Sequence, residues 1–222
     1  MQIAILGGTG DIGAGLALRW ANDTPHEIRI GSRAAEKAED AVAEYHDRLD
    51  AKDGEISLVG LENSAAATDA DVVILAAPPY HVSSLLDSVR DQLAPGTIVV
   101  SPAVGMTRDD DGFHYDPPQI GSLTELVAAR APETVSVVGA YHNIPANRLA
   151  DLDAPLDIDT LIVADDAAAK QTIIALTNEI RGLRAIDGGR LANAAEIESV
   201  TPVILNVVRQ NEEMHDIGVR FA

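Results

Sequence analysis

Three glycines, Gly8, Gly10 and Gly13, stand at the spacing G-x-G-x-x-G within Gly7-Gly8-Thr9-Gly10-Asp11-Ile12-Gly13. An apolar strand-like run, Ile3 to Leu6, precedes them, and an apolar-periodic segment starts at Ile12. Strand, glycine turn and helix form the setting in which this spacing holds a dinucleotide. The first glycine permits a tight turn, the second lets backbone approach a pyrophosphate, and the third lets the helix pack on the strand. The pyrophosphate would rest on free N–H groups at the helix start, where the helix dipole favours an anion.

The end of the next strand-like run bears on which dinucleotide is meant. An NAD site uses an acidic residue there, against the ribose 2′-hydroxyl. This chain has Gly31-Ser32-Arg33, with Lys37 one helical turn further on. A hydroxyl, a guanidinium fork and an ammonium suit the 2′-phosphate of NADP, and Thr9 adds a second hydroxyl. Ala77 and Pro78 follow the fourth strand-like run and should line the cofactor path, since ligands bind outside the carboxyl ends of parallel strands. The sixth run ends at Tyr141-His142-Asn143-Ile144-Pro145-Ala146. His142 is a candidate acid, base or positioning group there, with His81 and His114 as competitors. No triad, H-E-x-x-H motif or carboxylate pair stands out, and Asp109 to Asp111 read as a solvated loop rather than a metal site. A nucleotide site without obvious acid–base machinery fits direct hydride exchange between two cofactors.

The elements that must position these residues alternate. Short apolar runs at Ile28–Ile30, Ile56–Val59, Val72–Leu75, Ile98–Val100 and Val135–Val138 are separated by helix-patterned segments. That pattern predicts a parallel sheet covered on both faces. Asn63 or Ser64 is expected to cap a short Ala-rich helix, and Ser101 to Pro118 is expected to be a long exposed loop. The alternation changes after Pro145. The expected division is residues 1–145 as a nucleotide-binding domain and 146–222 as a small α+β domain closing the cleft.

Composition narrows the classes further. There is no cysteine, which excludes disulfides and thiolate chemistry and points to a cytoplasmic protein. No signal peptide or membrane span is expected. A formal net charge of -19 would repel nucleic acid and anionic membranes. Lysine occurs only at Lys37, Lys52 and Lys170, and the dispersed acidity matches a salt-rich cytoplasm.

Several blocks together resemble the archaeal F420-dependent NADP oxidoreductases. They are Gly7 to Gly13, Gly31-Ser32-Arg33 with Lys37, Val99 to Pro102, His142 to Ala146, Glu198 to Asn206, and the ending Gly218-Val219-Arg220-Phe221. The resemblance runs essentially the whole length. It implies a Rossmann-type doubly wound sheet with a small C-terminal domain, and reversible hydride transfer between NADP(H) and the deazaflavin coenzyme F420. It implies that Thr9, Gly10, Asp11, Ile12, Ser32, Arg33 and Lys37 hold NADP, and that Ala77, Val104 and Ala146 lie along the nicotinamide half. His142, Ile144 and Pro145 would border the deazaflavin, joined by Ile217. Asn143 stands where the family pattern has Thr, and still offers a hydrogen bond. The stripe Val200, Val203, Ile204, Val207 and Val208 reads as core or as a homodimer contact. Two other readings stay open. One is an NADP-dependent reductase of an imine, keto acid or metal chelate, which would need His142 or Tyr141 as proton donor. The other is a non-catalytic NADP sensor.

Overall fold

A computed structural model describes residues 1–49 and 56–222; Lys52 and the chain around it lie outside the described residues. The chain begins β1 (Gln2–Leu6), α1 (Asp11–Asp23), β2 (Glu27–Ser32), α2 (Ala35–Leu49), β3 (Leu58–Glu62), α3 (Asn63–Ala67), β4 (Val72–Leu75) and α4 (Val82–Val89). It continues β5 (Ile98–Ser101), β6 (Met106–Arg108), β7 (Phe113–Tyr115), α5 (Leu123–Arg130) and β8 (Ser136–Gly139). It closes with α6 (Ala146–Ala150), β9 (Ile158–Ala164), α7 (Ala167–Asn178), β10 (Leu183–Asp187), α8 (Ala194–Glu198) and α9 (Val200–Gln210).

Eight strands form one sheet in the order β10-β9-β8-β5-β4-β1-β2-β3. Pairing is parallel throughout except at β8–β9. Period-2 alternation splits each central strand between two cores. Ile3, Ile5, Val72 and Ile74 face α1, α2 and α7, while Ala4, Leu6, Val73 and Leu75 face α3, α4 and α5. All are fully buried, which is why these runs read as continuously apolar. The chain order reverses between β1 and β4, so both strand ends open onto a crevice.

The sheet runs unbroken across the boundary expected at 145/146. The C-terminal segment is built onto its edge, β9 pairing with β8 through Val138↔Ala164 and Gly139↔Val163. Arg19 of α1 fastens the same segment. Its buried guanidinium donates to the carbonyls of Arg148, Leu149, Asp151 and Ala154. Trp20 beside it donates to the Leu176 carbonyl at 3.2 Å and meets the Tyr141 ring edge-on.

Two local expectations are corrected. The stretch after β5 is not a long exposed loop: Ser101 to Gly105 are buried, and β6 and β7 pair as a hairpin. Asn206 of α9 holds that hairpin, accepting from the Phe113 N–H and donating to the Phe113 carbonyl, both at 2.8 Å. Neither Asn63 nor Ser64 caps α3, because Glu62 occupies the cap position and Asn63 is already helical. By length and composition, Leu191–Gln210 also passes as a membrane-crossing helix. Here it is a 3-10 turn and two helices, and its buried Glu198 is tied to α5.

Candidate functional site

The glycine turn differs from expectation in one detail. The left-handed residue is Gly7, at φ +79°, and not Gly8. A side chain on Gly7 would lie 2.5 Å from the Ala76 carbonyl oxygen. Gly13 behaves as expected, since a Cβ there would sit 2.7 Å from the Gly8 Cα. Helix α1 therefore starts hard against the strand. Its cap residue, Gly10, has no side chain to satisfy the first N–H groups. Those of Asp11, Ile12 and Gly13 remain free for an anion.

A residue outside the motif props this turn. Tyr45, buried on α2, donates its hydroxyl to the Gly8 carbonyl at 2.7 Å. Burial pushes the phenol up to about 12, so it stays a donor. In the sequence Tyr45 is one more apolar position on a helix face.

A cavity of about 760 Å³ opens at the switch point. It brings together Thr9, Gly10, Ser32, Arg33, Lys37, Ala77 and Pro78, all singled out from sequence. Arg33 and Lys37 are exposed towards it, and Ser32 is buried at the end of β2. Tyr80 and His81, from the stretch after β4 expected to border the cofactor, also line it, and so do Asn63, Ser84 and Ser88, which were not anticipated as binding residues. A dinucleotide fits two features here: a glycine cradle that any Cβ would fill, and the buried Asn63 Oδ1, which has no hydrogen-bond partner.

The other predicted residues do not line this cavity. Val104 lies buried beyond the end of β5, and His142 and Ile144 lie buried beyond the end of β8. Pairing of β5 with β8, Ser101↔Gly139, places these two ends side by side on the cavity's edge of the sheet. Pro145 and Ala146 lead into α6, which packs along α1. Ile217 sits in the C-terminal tail, which Asp216 ties to Asn147 at 3.0 Å.

His142 is held from two sides. Its carbonyl accepts from the Thr201 hydroxyl at 2.7 Å, and its Nε2 lies 3.4 Å from the Thr124 hydroxyl. Thr124 already donates to Glu198 at 2.8 Å, so it accepts from Nε2–H and fixes that tautomer. Glu198 also accepts from the N–H groups of Leu123 and Thr124 and from the Tyr115 hydroxyl. A carboxylate at the start of α5 also suits the helix dipole, though burial still pushes its pKa upward. Burial lowers His142 to about 4, against a smaller raising effect of the Ser101 carbonyl. That carbonyl makes no well-formed hydrogen bond to Nδ1, which stays bare along with Ser101 Oγ and Asn143 Oδ1. Three buried, unpaired polar atoms at two adjoining strand ends fit a polar ring system docking there.

Tyr141 has no comparable freedom. It is buried with φ +69°, its hydroxyl shares a hydrogen bond with Thr177 at 2.8 Å, and burial raises its pKa. His114 pairs with Asp109 at 2.9 Å in the hairpin turn, while exposed His81 meets the Tyr80 ring at a tilt of 57° at the cavity rim. Asp109 to Asp111 form that turn, and among the described residues no acidic or histidine cluster could hold a metal ion.

The model of the coenzyme F420-dependent NADP oxidoreductase family matches residues 2–105. The F420-dependent NADP reductase of Methanocaldococcus jannaschii is 41% identical, over 93% of this chain and 92% of its own length. That of Methanothermobacter marburgensis is 37% identical, over 100% of this chain and 98% of its own. Among solved structures, an Arthrobacter sp. FB24 protein assigned as an F420-dependent NADP reductase superposes with a TM-score of 0.82 at 22% identity, covering 100% of this chain and 99% of that one. A pyrroline-5-carboxylate reductase from Coxiella burnetii superposes at 0.61 with 17% identity, covering 94% of this chain and 67% of its own, a likeness of fold alone.

Proposed function

Since the chain belongs to the coenzyme F420-dependent NADP oxidoreductase family, we propose an assignment of its residues to hydride exchange between NADP(H) and coenzyme F420. When bound, the nicotinamide and the deazaflavin supply the redox chemistry themselves. The chain binds, orients and dries. The first turn of α1, from Gly10 to Gly13, takes the pyrophosphate on backbone N–H groups. Ser32, Arg33 and Lys37, with Thr9, hold the 2′-phosphate. Ala77, Pro78, Val104 and Ala146 line the path to the nicotinamide. His142, Ile144, Pro145 and Ile217 border the deazaflavin. Residues 1–145 thus carry the nucleotide, and 146–222 close the far side.

One observation carries this reading: the glycine turn, the β2 end and Lys37 share a single cavity across the switch point. His142 bears on the choice of partner. A reductase of imines or keto acids needs a proton donor, and a buried imidazole with a pKa of about 4 is neutral at working pH. The Tyr141 hydroxyl is engaged by Thr177. Both facts favour positioning over acid–base work, which suits exchange between two cofactors. Mixing the protein with NADPH and oxidised F420 in high salt should bleach the deazaflavin absorbance. Intact NADPH binding without bleaching would sink the proposal and leave a sensor or another reductase.

Three further assignments belong to this reading. α9 leaves Val203 and Val207 exposed at 61% and 39%, beside the half-buried Ile204, and we assign that stripe to a second copy of the chain. Sedimentation would show the dimer, and Val203→Glu should dissociate it. The chain works in the cytoplasm, without nucleic acid or membrane. The acidic surface suits a salt-rich cytoplasm, so the melting temperature should rise with molar KCl as repulsion is screened.

A further inference from the structure

We propose that the buried carboxylate of Asp159 is a positioning group for coenzyme F420: it latches the C-terminal tail, so that Ile217 stands in place before the deazaflavin arrives; this rests on the assignment of Ile217 above. The last residues of a chain fray unless something ties them down. Residues 217–222 form no helix or strand, yet they are tied. Asp159 in β9 is fully buried and lies opposite Arg184 of β10 in parallel register. Arg184 donates to it through both arms of its fork, Nε to Oδ1 at 2.7 Å and Nη2 to Oδ2 at 2.6 Å. Oδ2 also accepts from the Phe221 N–H, and Arg184 donates to the Phe221 carbonyl. One tail residue is thus held at both of its backbone groups. The Asp159 N–H adds a further contact, to the Val219 carbonyl at 2.8 Å. Arg184 holds the Asp159 carboxyl below its ordinary pKa, so the latch is charged at neutral pH and its hydrogen bonds are of the stronger kind.

The latch bears on more than the chain end. Ahead of it the backbone turns at Asp216, φ +47°, whose side chain accepts from Asn147 in α6 at 3.0 Å. Gly218 then presses on Ile158, where a Cβ would clash with the isoleucine side chain. Half-buried Ile217 is pinned between these two fixed points. Asp159 also meets the block assigned to the deazaflavin. Its carbonyl accepts from Asn143 Nδ2 at 2.7 Å, between His142 and Ile144. A single residue of β9 therefore joins the two walls, with its side chain on the tail and its carbonyl on the His142–Pro145 block. A tail docked in advance spares the coenzyme the cost of ordering it. Were only a fraction of molecules to hold the tail in place, apparent affinity would fall by that fraction. These contacts lie at the β8, β9 and β10 end of the sheet, whereas Arg33 and Lys37 follow β2 towards the other. The effect therefore belongs to F420 and not to NADP(H).

Two readouts test this, one of them without any coenzyme. Amide exchange in the C-terminal peptide of the intact protein is followed by mass spectrometry. Oxidised F420 and NADPH are then titrated separately, by deazaflavin and nicotinamide fluorescence. Asp159→Ala removes the latch, and half-exposed Arg184 can turn to water, so no buried charge is stranded. Exchange in residues 217–222 should quicken about 10-fold or more. The Kd for F420 should rise about 10-fold, while that for NADPH stays within about 2-fold, as expected of distant sites. Asp159→Asn keeps an acceptor for the Phe221 N–H and should fall between. Phe221→Pro removes that N–H alone, at an exposed position, and should also loosen the tail and weaken F420. If circular dichroism shows Asp159→Ala unfolded, Asp159→Asn and Phe221→Pro decide. Tail amides that stay protected, loosened amides with F420 affinity unchanged, or equal losses for F420 and NADPH would each overturn the proposal. Ile217→Ala tells the latch apart from the site it serves. If it weakens F420 several-fold while the latch variants do not, the latch alone is defeated. If it binds F420 as the wild type does, the placement of Ile217 falls and the latch with it. A wild type that binds NADPH and not F420 defeats the reading of the whole site.

Discussion

Acid titration of stability tests the state assigned to His142. The ring is 5% exposed, and burial lowers its pKa from 6.5 to about 4. On unfolding it returns to about 6.5. Between those values the unfolded chain binds the extra proton, so stability is gained as pH rises through the window and lost as pH falls through it. The linkage amounts to about 2 kcal/mol lost by pH 5 and roughly 3 kcal/mol below pH 4. The chain also carries 35 Asp and Glu residues. Glu198, one hydroxyl away through Thr124, is pushed upward and contributes the opposite slope. The informative quantity is therefore the difference between wild type and His142→Gln, which keeps a polar side chain that does not titrate. Urea midpoints of both are measured from pH 7.5 to pH 5 at constant salt. With a slope of about 2 kcal/mol per molar, the wild-type midpoint should fall about 1 M further than the variant's. Midpoints that fall in parallel would refute a buried neutral imidazole, and with it the argument that His142 positions rather than protonates.

Three other perturbations separate the remaining roles. Arg33→Ala should raise the Michaelis constant for NADPH by about 10-fold or more and leave that for NADH nearly unchanged; equal effects would refute a 2′-phosphate contact. Gly13→Ala puts a methyl group 2.7 Å from the Gly8 backbone, so the helix must back away. A loss of about 1–3 kcal/mol in thermal stability is expected, with NADPH binding weakened in the same titration. Tyr45→Phe removes the hydrogen bond that props the Gly8 carbonyl. It should cost about 1 kcal/mol and weaken NADPH a few-fold while the Michaelis constant for F420 stays fixed. Unchanged NADPH affinity would confine Tyr45 to a structural part.

What could be read in advance divides by the reach of the contact. The parallel sheet was legible because burial on both faces makes Val72–Leu75 and Ile98–Val100 uniformly apolar, a property of each run alone. The glycine turn and the β2 corner were legible because their chemistry lies within a few residues of each strand end. The hairpin was not. Its strands hold three residues each, too few for an alternation to register, and their partner Asn206 lies 93 residues beyond Phe113. Glu198 stood inside a recognisable block, yet its role depends on Tyr115 and Thr124, which the fold brings to it from two other elements. Asn63 looked like a helix cap, as short polar residues before Ala-rich segments do. Its place beside Gly31 comes from the pairing of β3 on β2, with Gly31 opposite Leu61.

The same division explains how the two ends of the proposed site come to adjoin. Ser101 and His142 lie far apart in the sequence, and the intervening chain makes the hairpin and α5. Parallel pairing of β5 with β8 nevertheless sets their ends next to each other, at the edge where β1 and β4 open. Hydride exchange needs two rings held face to face with water kept out. A sheet that puts the glycine turn, the β4 end and two buried polar strand ends along one edge provides both walls from backbone order alone. The side chains then have only to choose which rings dock. Under the proposed assignment Arg33 and Lys37 make that choice at one end of the edge, and His142, held through Thr124 by Glu198, makes it at the other.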